Sequence, residues 1–155
     1  VPIALDQGLG ILVWSPLAGG LLSGKYRRDG SGPAGSRHMV GWTEPPIRDR
    51  DALFDVVDVI LEIAMTRNVS ASQVALAYLL GKSGITSLVV GARNSDQLAN
   101  NLAAADLRLD SDEVARLDRV SMPPLIYPYW HQIRAATDRL SPADLSLLQP
   151  HISAT

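Results

Sequence analysis

Apolar residues fall in short groups along the 155-residue chain, and their spacing predicts the elements. Residues 11–14, ILVW, form an apolar run without polar alternation, bounded by Gly10 and by Ser15-Pro16. A strand buried on both faces of a parallel sheet reads this way. From Asp51 to Arg67 the apolar positions Leu53, Val57, Ile60 and Ala64 step by four, three and four, so they share one face of a helix. In SASQVALAYLLGKSG, Ser70 and Gln73 are spaced as a capping box and Gly81 or Gly84 ends a second helix. Its body, Val74 to Leu80, is apolar almost all round, which predicts burial. SLVV, 87–90, reads as a second buried strand. NSDQLANNLAAA is expected to be a helix capped by Asn94. DSDEVARLDRV is another, with acids in its first turn and arginines towards its end, as the helix dipole prefers.

Strand, helices, strand, helix is the α/β order, in which right-handed crossovers join parallel strands. From Ser15 to about Asp49 the chain is rich in Gly, Pro, Ser and Arg. So long a stretch without regular structure inside a compact domain points to a lid or a binding loop. VPIALDQGLG reads as the last turn of a helix closed by Gly8, so the chain is expected to be the C-terminal piece of a longer protein. After Ser121 the character changes: MPPLIYPYW is expected to be an extended arm, and SPADLSLL a last short helix capped by Ser141 with Pro142 in its first position. The expected division is a main body over 1–121 and a tail over 122–155.

Composition narrows the function classes. A net charge of -2 without a long Lys/Arg run gives no electrostatic footprint for nucleic acid or an anionic membrane. No apolar run approaches the ~20 residues that span a bilayer, so a membrane partner is not expected. The absence of cysteine removes disulfides, thiolate nucleophiles and Cys-based metal sites, which suits a reducing cytoplasm.

Two stretches carry candidate chemistry. In LVVGARNSDQLANNL, 88–102, a buried strand ends at Val90, Gly91 allows close backbone approach and a helix starts near Asn94. Unpaired N–H groups and the positive end of the dipole would face one spot, and Arg93 adds a fork suited to phosphate. The same residues also make an ordinary turn, with Asn94 and Gln97 as a capping box. In VWSPLAGGLLSGKY, 13–26, Trp14 offers a flat apolar platform, Ser15 a hydroxyl, the glycines a close approach and Lys25 a cation. A planar ring with a pyrophosphate needs those features. A Trp covering the core and a solvated Lys25 are the alternative.

Together the two stretches resemble the C-terminal part of the aldo/keto reductases, including the potassium-channel β-subunits of that family. The first signature appears as Trp14, Ser15, Pro16, Leu17, Ala18, Gly20, Ser23, Gly24, Lys25 and Tyr26, and the second as Gly91, Arg93, Gln97, Leu98 and Asn101. The similarity runs from about Leu5 through Ser121. It implies a (β/α)8 TIM barrel of which this chain supplies the last two strands, and hydride transfer from NADPH to an aldehyde or ketone. It also implies roles. Trp14 would stack on the nicotinamide; Ser15, Pro16, Leu17, Ala18, Leu22 and Lys25 would line the pyrophosphate cradle. Gly91, Arg93 and Gln97 would hold the 2′-phosphate, and Asn100 and Asn101 would face the adenine. Asn100 stands where the family usually has a carboxylate, and Gln97 where some branches have arginine. The family's catalytic Tyr, Lys, Asp and His come from earlier strands. Tyr26, Tyr78, Tyr127, Tyr129, Lys25 and Lys82 lie outside the matching motif, and His38, His131 and His151 lie in loop or tail contexts, so no catalytic residue and no metal ligand is named. Two strands leave unpaired edges, so the missing N-terminal barrel portion or self-association is the expected partner. The alternative function is a non-catalytic module that binds nicotinamide nucleotide, like the channel-associated relatives.

Overall fold

The structure, a computed structural model, describes residues 1–135 and 137–152. They form two compact units, one of residues 12–122 and one that joins 1–11 to the chain after 122.

Helix α1, Pro2–Asp6, opens the chain. Its end is closed as the sequence suggests: Gly8 takes a positive φ of +64° and the Leu9 N–H reaches the Ala4 carbonyl at 2.7 Å. Strand β1, Ile11–Trp14, is followed by the long loop. Helix α2, Arg50–Arg67, buries Phe54, Val57, Ile60, Ile63 and Ala64, so the buried stripe is broader than the periodicity marked. Asp49 caps it, accepting from the Ala52 N–H at 2.9 Å. Helix α3, Ala71–Leu80, begins with the expected capping box of Ser70 and Gln73 and buries Val74 completely. Strand β2 runs Ile85–Val89 and pairs with β1 in a parallel two-stranded sheet. It starts earlier than the SLVV run because β-branched Ile85 and Thr86 join the ladder. Helix α4, Ser95–Leu102, and helix α5, Ser111–Ser121, follow.

The core of residues 12–122 lies where α2, α3 and α5 meet, around Ile60, Ile63, Ala64, Ala71, Val74, Ala75 and Leu117. Helix α3 also covers β2, which fixes the sheet to the core. The strands are not buried on both faces: Val13 is half-buried, whereas Leu12 and Trp14 stand out, Trp14 at 79% exposure. An apolar run reports hydrophobicity on both faces, and here the helices cover only one. The long loop is tied to α2 at its start, where Arg28 donates to Asp55 and Asp58, each at 2.8 Å.

The Arg67 guanidinium meets Glu113 with two bonds, 2.6 Å from Nε and 2.7 Å from Nη2, joining the end of α2 to the start of α5. Glu113 also accepts from the Asp110 N–H, completing a capping box. Arg67 holds this nearly buried carboxyl below its ordinary value of 4.5, against the opposing effect of burial. A depressed carboxylate stabilises the fold above its unfolded pKa and ceases to do so as pH falls through the folded one. Thermal melts should therefore show Glu113→Gln less stable than the parent near neutrality, with the gap closing below about pH 4.5. A gap constant with pH would assign the loss to packing rather than charge.

In the other unit, residues 123–126 carry no helix or strand, as expected of an arm, and helix α6, Tyr129–Ala135, takes only the last two residues of the MPPLIYPYW run. Pro128 starts this helix rather than blocking it: its carbonyl receives the N–H groups of His131 and Gln132 at 3.0 and 2.9 Å. Helix α7, Pro142–Ile152, begins as expected, with the Asp144 N–H donating to Ser141 Oγ at 3.1 Å, but runs longer than SPADLSLL. It packs on both α1 and α6 and buries Leu148.

Candidate functional site

The ends of β1 and β2 lie side by side, so the chain leaving each strand contributes one wall of a cleft of about 750 Å³. One wall carries Ser15, Pro16, Leu17, Gly19, Gly20, Ser23 and Lys25. The other carries Val89 to Arg93, with Asp96, Gln97, Asn100 and Asn101 from α4. Of the residues expected from the sequence, Ser15, Pro16, Leu17, Lys25, Gly91, Arg93, Gln97, Asn100 and Asn101 are thus brought together. Trp14, Ala18 and Leu22 do not line the cleft. Trp14 lies exposed on the open sheet face, Ala18 sits inside the turn, and Leu22 packs against the core.

The turn after β1 is a rigid, strained object. Ser15 and Ala18 hold φ of +52° and +49°, a region uncommon for residues with a Cβ. Strain of this kind persists only where surrounding contacts enforce it, and it gathers at functional sites. The enforcing contacts are local: the Ala18 N–H donates to the Ser15 carbonyl at 2.8 Å, the Gly19 N–H to Ser15 Oγ at 3.3 Å and the Gly20 N–H to the Leu17 carbonyl at 2.9 Å. Those three amides are already occupied, which gives the side chains of this wall a larger share in any anion contact. Lys25 supplies one, lying so close over Gly20 that a Cβ there would sit 2.9 Å from Nζ.

The second wall departs from the expected row of bare amides. The Gln97 N–H donates to Asn94 Oδ1 at 2.9 Å, and Gln97 Oε1 reaches back to accept the Arg93 N–H at 3.0 Å. Two amides of the turn are therefore spent on capping, and Arg93 is left as the cation of this wall. Asn101 Nδ2 donates to the Gly91 carbonyl at 3.5 Å. Gly91 needs no special backbone angle, and nothing stands within 4 Å of the place a Cβ would take. What its missing side chain leaves is free space in the cleft.

Sequence reasoning missed Arg37, which lines the same cleft from a 3-10 turn, Arg37–Val40, deep in the long loop. Irregular loops have no periodicity to mark such a residue, and the sole signal was the loop's composition. It also missed Ser72 at the start of α3, and Asp96, whose carboxylate stands among the cleft's cations.

A tyrosine, a lysine and an aspartate do meet elsewhere, but not at the cleft. Tyr78 and Lys82 both donate to Asp118, and the ammonium lies 4.3 Å from the Tyr78 ring centroid. Burial first, and then the bond to Asp118, push the Tyr78 hydroxyl above its ordinary value of 10.0. A phenol that holds its proton this firmly is a poor general acid, and the trio acts as a clamp between α3 and α5. Among the described residues, no cluster of His, Asp and Glu could hold a metal ion, and no helix is long and apolar enough to cross a membrane.

The sequence model of the aldo/keto reductase family matches residues 1–122, and the chain belongs to that family. Its relatives include a rice (Oryza sativa subsp. japonica) protein described as a probable voltage-gated potassium channel subunit beta, 33% identical over 69% of this chain and 33% of the relative. The L-glyceraldehyde 3-phosphate reductase of Escherichia coli O157:H7 is 33% identical over 74% of this chain and 34% of its own length. The NADH-specific methylglyoxal reductase of Escherichia coli strain K12 is 31% identical over 77% and 35%. The chain spans about a third of the length of these curated relatives.

Proposed function

We propose that this chain carries the phosphate-gripping part of the cofactor site of an NADPH-dependent carbonyl reductase built as a (β/α)8 barrel and working in the cytoplasm. The observation that carries the reading is the convergence of Lys25, Arg37 and Arg93, from three separate segments, on one cleft. The cleft's volume falls within the ordinary range for ligand sites, and the space beside Gly91 admits a phosphate without displacing anything. These residues fit a dinucleotide.

Lys25 and Arg37 would hold the pyrophosphate, Arg93 the 2′-phosphate with Gln97 beside it, and Asn100 and Asn101 the adenine. The exposed indole of Trp14, one residue before Ser15, would offer its face to the nicotinamide. Ala18 would serve by holding the turn's shape, and Leu22 by anchoring it to the core. When bound, the cofactor supplies the hydride that reduces an aldehyde or ketone. Arg93 favours the phosphorylated dinucleotide and Asp96 opposes it; the family includes a relative described as NADH-specific. The open sheet face at Leu12, Trp14 and Val89 would be covered by the rest of the barrel or by self-association.

The second reading, a nucleotide-binding module without turnover, is favoured by the similarity to a rice protein described as a probable voltage-gated potassium channel subunit beta. Mixing the full chain with NADPH and 4-nitrobenzaldehyde separates the two. The expected result is quenching of tryptophan fluorescence, lost in Trp14→Phe, with steady absorbance at the nicotinamide band for this chain alone and falling absorbance once it is joined to a complete barrel. Steady absorbance in the complete barrel favours the module, and no quenching at all would sink both.

A further inference from the structure

We propose that Tyr26 is a positioning residue for the cleft's two loop cations: its hydroxyl orders the segment that carries Arg37 and its ring lies beside Lys25, so that both can grip a pyrophosphate. The inference rests on the dinucleotide reading of the cleft.

Tyr26 is 5% exposed although it sits in a loop of glycines, prolines and arginines. Its hydroxyl oxygen accepts the His38 N–H at 3.3 Å, and its ring meets the His38 imidazole edge-on at 5.1 Å. Ser36, itself buried at 6% exposure, stands beside the same hydroxyl and is fixed by donating to the Pro33 carbonyl at 2.6 Å. Ser36 and His38 are the residues on either side of Arg37. One chain neighbour of that arginine is therefore tied to the phenol and the other is held beside it, while Arg37 itself stays exposed and faces the cleft. The other cation precedes Tyr26 in the chain, and its ammonium lies 5.1 Å from the Tyr26 ring centroid.

The electrostatics agree with an accepting oxygen. Burial pushes the Tyr26 hydroxyl up, yet Ser36, the His38 N–H and the Lys25 charge together hold it below its ordinary value of 10.0. Donors and positive charge converge on that atom. Neither cation needs Tyr26 to exist, but a flexible loop would have to be ordered at the moment of binding, and a loop already ordered avoids that cost. Within the turn, three amides are already occupied, so the placement of these side chains takes a larger share in the grip.

The test uses the full chain and Tyr26→Phe, which keeps the ring and removes the oxygen. NADPH binding, followed by fluorescence, should weaken by about fivefold to tenfold. Reduced nicotinamide riboside, which has no phosphate, should bind the two proteins alike. In an Arg37→Ala background the same substitution should add less than about twofold, because coupled residues are not additive. A full additional loss there would make Tyr26 merely structural and overturn the proposal, as would a variant that binds NADPH like the parent. If the parent binds no NADPH, the dinucleotide reading fails and takes this inference with it; if the parent binds and Tyr26→Phe matches it, this inference alone fails. Should Tyr26→Phe not fold, Ser36→Ala leaves the phenol in place. It should weaken NADPH binding in the same direction, and unchanged binding would overturn the proposal.

Discussion

Replacing Arg93 by alanine is expected to weaken NADPH binding about tenfold to a hundredfold, the range for losing a hydrogen bond to a charged group. NADH, which lacks the 2′-phosphate, should bind parent and variant within about threefold of each other. Arg93 is exposed and its backbone N–H is already held by Gln97, so truncating the side chain removes a cation without disturbing the turn. Thermal stability should therefore stay within a degree or two of the parent, and calorimetric titration with each dinucleotide gives the ratio. Equal losses for the two cofactors would place Arg93 on the shared pyrophosphate instead. No loss for either would remove this wall from the site.

Gly19→Ala is expected to be the most damaging single-methyl change in the chain. Gly19 holds φ at +65°, and a Cβ there would lie 2.9 Å from the Glu44 carbonyl oxygen and 3.2 Å from Pro45 Cδ. Backbone and a proline ring cannot swing aside as a flexible side chain does. The left-handed conformation alone costs an alanine about 1–2 kcal/mol, and the clash with backbone adds to it. Gly20→Ala carries the same backbone strain, since Gly20 holds φ at +95°, but its Cβ meets the end of Lys25, which can move, so it should cost less stability than Gly19→Ala while displacing a cleft cation. Denaturant melts and NADPH titrations of the two variants should show that opposite ranking. A Gly19→Ala protein as stable as its parent would mean that the loop at Glu44 can draw away from the turn.

Much of the fold was legible because local chemistry states it. The capping pair Ser70–Gln73, the acidic first turn after Asp110, the αL stop at Gly8 and the stripe through Val57, Ile60 and Ala64 are short-range signals, and the structure realises each. The element boundaries that moved did so for non-local reasons. Ile85 and Thr86 became strand because β1 lies alongside to pair with them. Tyr129 and Trp130, the end of the run expected to be an arm, joined a helix, Tyr129–Ala135, that packs on α7. For the cleft, most of the motif residues do line its two walls, but their spacing did not say how their polar groups are paired. Asn94 and Gln97 serve as caps and also stand in the motif, and spacing cannot tell which of their bonds is made.

By itself, the sequence determined most of the helices and both strands of residues 12–122, since caps and apolar spacing follow from residue types a few positions apart. Only the tertiary structure decided that Ser15 to Lys25 and Gly91 to Asn101 line one cleft, that Arg37 joins Lys25 and Arg93 there, that Trp14 stands on an open face, and that Tyr26 meets the backbone beside that arginine. Those facts depend on where a long irregular loop folds back, and a loop's path is set by distant contacts rather than by any period in its own residues.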